Sequence, residues 1–128
     1  RSGELGYAGA YCNIGFSYDI GRGVEVDEKK ATYYYELAAM MGDATARYNL
    51  GFIEKRAGNM DRALKHMIIA ARSGYNRSLE KIKVLYTNGH ATKEDYTKAL
   101  QSYQTYLDDI RSEQRDHAAS FSEENKYY

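Results

Sequence analysis

Apolar residues return every three or four positions along this chain in six separate runs, each closed by a glycine or a polar turn. That spacing keeps side chains on one face of a helix, whereas a strand needs alternation. In the first, third and fifth runs the stripe is Ala10, Ile14 and Tyr18, then Ala46 and Leu50, then Ile82, Leu85 and Tyr86. In the second and fourth it is Ala31, Tyr34, Tyr35, Leu37, Ala38 and Met41, then Ala63, Met67, Ile69 and Ala70. The pattern predicts helices at about 8–20, 28–41, 44–57, 60–73, 77–88 and 93–116. Asp27, Asn59, Asn76 and Thr92 are N-cap types placed before these runs, and Thr92 with Asp95 approximates a capping box. Gly21, Gly42, Gly58, Gly74 and Gly89 stand where helices should stop. The chain holds no proline, the residue that most strongly breaks a helix. Residues 118–128, with Glu123, Glu124, Asn125 and Lys126, are polar and read as a tail.

The runs repeat one another. Ala10-Tyr11-Cys12-Asn13-Ile14-Gly15-Phe16 recurs 36 residues on as Ala46-Arg47-Tyr48-Asn49-Leu50-Gly51-Phe52. Lys30-Ala31, Ala38-Ala39 and Gly42 recur 32 residues on as Arg62-Ala63, Ala70-Ala71 and Gly74. The difference lies in one turn, which is short at Gly58-Asn59 and long at Gly21–Asp27. A third unit opens at Ser78, 32 residues after Ala46, and its Lys98-Ala99 lies 36 after Arg62-Ala63, because its turn is long again. One domain over 1–117 therefore divides into helix hairpins at about 7–42, 43–74 and 75–117. Gly15 and Gly51, with Ala31, Ala63 and Ala99, fit close approach of the two helices of a hairpin. A helical glycine costs about 1 kcal/mol against alanine, so two at one repeat position imply a steric need.

These residues resemble the Sel1-like repeat, a relative of the tetratricopeptide repeat. The resemblance is carried by Ala-x-x-Asn-Ile14/Leu50-Gly15/Gly51, the turn Gly21-Arg22-Gly23-Val24, Asp27-x-x-Lys30-Ala31, and Ala38-Ala39-x-x-Gly42. It covers about residues 6–110. The third unit departs, with Lys83 for the glycine and Tyr106-Leu107 for the alanine pair. Leu5-Gly6 is similar to the Met41-Gly42 end of a unit, so the chain reads as the C-terminal part of a longer array. The resemblance implies an all-α, right-handed superhelix (solenoid) of about three hairpins and six helices. It also implies a concave surface, lined mainly by the first helix of each pair, that binds proteins or peptides. Family members serve as adaptors in signalling, quality control and assembly.

The residues opposite the packing stripe of the first helices are the candidate protein-binding positions. They are Cys12, Phe16 and Asp19, then Tyr48, Phe52 and Lys55, then Glu80, Val84 and Thr87, at equivalent repeat positions. Aromatic anchors among mixed charges suit a peptide groove. The competing reading has Phe16 and Phe52 packed on the neighbouring repeat, and Asp19 and Lys55 on a plain solvated face. Tyr33, off the stripe of its helix, is expected to be exposed.

Composition narrows the function classes. Lys+Arg and Asp+Glu are equal at 18, which removes the electrostatic argument for nucleic acid or an anionic membrane. The single cysteine cannot form an internal disulfide, and a reducing, intracellular and cytoplasmic setting follows as an expectation. No apolar run is long enough to span a bilayer. Cys12 with a histidine would be needed for nucleophilic catalysis, but nothing positions such a pair. Asp108, Asp109, Glu113 and Asp116 alternate with Arg111 and Arg115, so ion pairing along a helix accounts for them. No phosphate-cradling loop is present. The expectation is an interaction scaffold with a protein or peptide partner. It takes no nucleic acid, membrane or small-molecule substrate, and has no cofactor, metal or catalytic residue. The alternative is a structural C-terminal cap of a longer array with no binding site of its own.

Overall fold

The computed structural model describes the backbone of residues 2–125 and the side chains of residues 7–115. Six helices run in order: α1 Ser2–Ile20, α2 Glu28–Met40, α3 Ala44–Arg56, α4 Met60–Arg72, α5 Arg77–Thr87 and α6 Lys93–Asn125. There is no strand among the described residues. Each helix packs on the next, and α6 also reaches back to α4, which stacks the hairpins side by side as a repeat solenoid.

Two helix ends differ from the sequence expectation. α1 already begins at Ser2, six residues early. α6 does not stop at 116 but continues to Asn125, so residues 118–125 are helix rather than an irregular tail; 126–128 lie outside the described residues. After Gly89 the chain contains no glycine or proline to end a helix. Side-chain pairs along α6 support it: Lys98 with Glu94 at 3.0 Å, Gln104 with Asp108 at 3.0 Å and Arg111 with Asp108 at 3.7 Å.

The turns are closed by one device used four times. At Gly42 the glycine N–H donates to Ala39 O and the next N–H, of Asp43, donates back to Ala38 O, both at 3.0 Å. This is a Schellman motif, and it needs the positive φ of 95° that Gly42 adopts. Gly58, Gly74 and Gly89 close their helices by the same pair of bonds. Asp43 then serves at once as N-cap of α3, accepting from Ala46 N at 2.9 Å, so the chain turns from one helix into the next almost without a loop.

The core lies in the seams. Cys12, Ala31, Tyr35, Ala38 and Ala39 of the first unit pack with Ala46, Leu50 and Ile53 of the second. Tyr48, Met67, Ala70 and Ala71 of the second pack with Ile82 and Ala99 of the third. The alanine pairs let the following first helix come close, and inside each hairpin Ala31, Ala63 and Ala99 are buried as their repeat position requires.

Candidate protein-binding face

The nine candidate residues fall into three rows, each formed by one repeat position on α1, α3 and α5. The middle row is open. Phe16 is 38% exposed, Phe52 is half-buried and Val84 is 40% exposed. Two of the three carry a cation on the ring. The Arg22 guanidinium lies 5.3 Å from the Phe16 centroid and the Lys81 ammonium 5.3 Å from that of Phe52. Phe52 meets both readings given above, because it also packs edge-on against Tyr48 and borders the second core cluster.

The first row corrects the sequence reading. Cys12 and Tyr48 are 7% and 8% exposed, so they face a seam rather than a partner. The Tyr48 ring lies tilted against that of Tyr75, centroids 4.8 Å apart, where the chain enters the third unit. Cys12 lies beneath α3, with the Asn49 amide 4.0 Å from its sulfur. Burial, with Asp43 nearby, pushes the Cys12 thiol up to about 11, the reverse of an activated nucleophile. Glu80, at the same position in the third unit, is exposed.

The third row is mixed. Asp19 is a seam residue: its carboxylate accepts from the Tyr35 hydroxyl at 3.3 Å and from the Arg56 guanidinium at 2.8 Å. Arg56 belongs to the second unit, so the pair ties the first two hairpins together, and solvation alone does not describe Asp19. Burial, then the Asp19 charge, drives the Tyr35 hydroxyl well above its ordinary pKa, which keeps it a donor. Lys55 is half-buried, and Thr87 is exposed with its hydroxyl donating to Lys83 O at 2.9 Å. Tyr33 is 58% exposed, in keeping with its place off the stripe.

Sequence reasoning missed Arg22, Lys81 and Arg56. Each acts across a turn or between units, where periodicity carries no signal. No group of three or more His, Cys, Asp or Glu among the described residues is placed to hold a metal. None of the described helices is long and apolar enough to cross a membrane. His66 lies against Arg47, with 3.5 Å between Nδ1 and the guanidinium.

Known proteins share this arrangement. The Sel1 repeat family matches residues 8–43, 44–75 and 84–104. A sel1-like repeat-containing protein of Acanthamoeba polyphaga mimivirus is 35% identical over 91 residues, which cover 71% of this chain and 17% of that protein. Chitin synthase regulatory factor 4 of Schizosaccharomyces pombe is 32% identical over 63 residues, 49% of this chain and 10% of its own length. The crystal structure of a Sel1 repeat protein from Oxalobacter formigenes superimposes with a TM-score of 0.61 and 30% identity, covering 82% of this chain and 43% of that one. The chain thus spans under a fifth of the curated relatives it matches. The glycine and alanine framework shared by the first two hairpins, the family matches along most of the chain and the superposition on a solved Sel1 repeat protein together place the chain in the Sel1 repeat family.

Proposed function

We propose that this chain is a protein-binding module that takes a peptide or a partner domain along the first helices α1, α3 and α5. Sel1 repeats form non-catalytic scaffolds and generally mediate protein–protein interactions. The observation that favours this face is the row Phe16, Phe52 and Val84, one apolar side chain per unit, with Phe16 and Val84 exposed and Phe52 half-buried, beside Cys12, Tyr48 and Asp19, which are taken up in the seams. Arg22 and Lys81, each above a ring of that row, suit a partner segment that alternates apolar residues with carboxylates. A reducing intracellular setting agrees with the lone thiol.

The test is affinity capture with the chain carrying Phe52→Glu and Val84→Glu. Partner recovery should fall at least about tenfold while far-ultraviolet circular dichroism stays that of the parent, since one desolvated anchor is worth about 1–2 kcal/mol. Undiminished recovery of the same partners would remove this face from consideration.

The capping alternative draws on α6. Tyr106 packs over Gly74, and Tyr106-Leu107 stand where the other units carry alanine pairs. Under that reading, deletion from Thr92 onward lowers the melting temperature of the remaining chain, whereas an unchanged melt counts against it.

A further inference from the structure

A groove runs between α4 and α6, the second helices of the second and third units. It consists of two cavities of about 440 and 310 Å³ that meet at Arg72 of α4 and at Ser102 and Thr105 of α6. Ile68 borders the first cavity and Tyr106 the second. None of the lining residues belongs to α1, α3 or α5, so the groove is separate from the binding face on the first helices. Ser102 stands where the second unit has His66, 36 residues earlier. In the first seam that position holds a half-buried imidazole, within reach of the Glu36 charge on α2. A serine leaves the space of the ring unfilled.

The charges of the groove are unevenly satisfied. Asp95 accepts from Thr92 N at 3.0 Å, and Lys98 is paired with Glu94 at 3.0 Å. Arg72 on α4 and Asp109 on α6 line one cavity from its two walls, and both are exposed. Among the described residues neither enters an ion pair, with the other or with a neighbour. Their equivalents in the preceding seam are Met40 and Ser73, so neither charge serves the repeat framework. A cation on one wall, an anion on the other and apolar surface beside them suit an occupant that brings both signs of charge.

The length of the groove selects the kind of occupant. Its wall on α6 runs from Asp95 to Asp109, about 21 Å of helix. That is too long for one small ligand and matches six or seven residues of extended peptide, at about 3.3 Å each. We propose that this groove binds a partner peptide carrying a carboxylate for Arg72 and a cation for Asp109, with apolar residues against Ile68 and Tyr106.

The test is fluorescence anisotropy in low salt, where screening is weak. The probes are labelled peptides about nine residues long on one Leu-Ser background. They carry a Glu and a Lys, two Glu, two Lys, or neither, with the pair at several spacings. At its best spacing the Glu/Lys peptide should bind at least about tenfold tighter than the other three kinds. Arg72→Glu makes both walls acidic and should move the preference to two Lys. Asp109→Arg makes both walls basic and should move it to two Glu. Each variant should melt within about 1 °C of the parent, as for exposed positions. Absence of any preferred peptide, or a preference that neither substitution moves, would overturn the proposal. Phe52→Glu with Val84→Glu should leave the binding unchanged, and its loss there would assign the peptide to the first helices instead. Self-association of the chain that Arg72→Glu abolishes would also overturn the proposal, because a second copy would then fill the groove.

Discussion

Gly15 and Gly51 hold the same repeat position beneath different neighbours. A methyl on Gly15 would stand 2.8 Å from the Tyr35 ring and 3.2 Å from Ala31 O. That ring is fully buried and its hydroxyl is tied to Asp19, so it has no room to retreat. A methyl on Gly51 would meet chiefly the terminal Met67 methyl at 2.7 Å, the far end of a pliable side chain. Gly15→Ala should cost about 1–3 kcal/mol of stability by overpacking. Gly51→Ala should stay within about 1 kcal/mol of the parent, because the helix-propensity gain offsets Met67's adjustment. Equal losses for the two in urea denaturation would contradict this. The recurrence of glycine was legible in the sequence; which neighbour makes it indispensable was not, since Tyr35 and Met67 align as equivalents. Ser78 makes a second contrast. Its hydroxyl is buried without a hydrogen-bond partner at a position that is alanine in the other two units. Ser78→Ala should raise stability by about 1 kcal/mol, read as a higher urea midpoint at unchanged slope.

Helix starts show how far a local signal reaches. The Thr92–Asp95 capping box is present as read: Thr92 N donates to Asp95 and Asp95 N to the Thr92 hydroxyl, both at 3.0 Å. The bond from Thr92 N, followed by that with its hydroxyl, holds the Asp95 carboxyl below its ordinary pKa. Asp27 also caps, accepting from Lys30 N at 3.1 Å. Asn59 and Asn76 make no capping bond. Asn59 donates instead to Glu54 at 2.9 Å, and Asn76 sits in helical backbone, where its side chain cannot turn back on the first free N–H groups. Asp43, outside the predicted set, caps α3. A capping box joins residues three apart, so sequence displays it; a lone Asn has several partners within reach, and the fold chooses. Thr92→Ala should accordingly lower the melting temperature by an amount worth about 1 kcal/mol, with Asn76→Ala near zero. Comparable losses for both would show that cap type, rather than the bond formed, sets the stability.

Across the whole molecule, stability resides in seams between hairpins, and the first seam contains a titrating group. His66 is half-buried at the edge of the second unit. Burial, reinforced by Arg47, lowers its pKa below the ordinary 6.5, with Glu54 and Glu36 opposing. The unfolded chain thus binds a proton more readily than the folded one, so stability rises with pH through this range. The His66 contribution is complete above about pH 6.5 and is lost as the pH falls through the lower folded value. The melting temperature should drop between about pH 7.5 and pH 5, and His66→Gln should flatten that slope. A slope unchanged by the substitution would assign the dependence to other groups.

The helical repeat was readable from residue order because each signal is short-ranged: three- and four-residue periodicity, a closing glycine and the alanine at each close contact all act within one hairpin. What stacking added could not be read that way. Cys12, Tyr48 and Asp19 share a helix face with Phe16 and Phe52, yet the next unit settles onto the first three, leaves Phe16 exposed and covers Phe52 only in part. The pitch at which one hairpin rests on another decides which side of that face is covered, and it depends on contacts between residues far apart in the chain, such as Asp19 with Arg56, 37 positions on. Ala46 and Leu50 make the same point: they are buried because the alanine pair of α2 rests on them, a contact between hairpins that periodicity alone does not display.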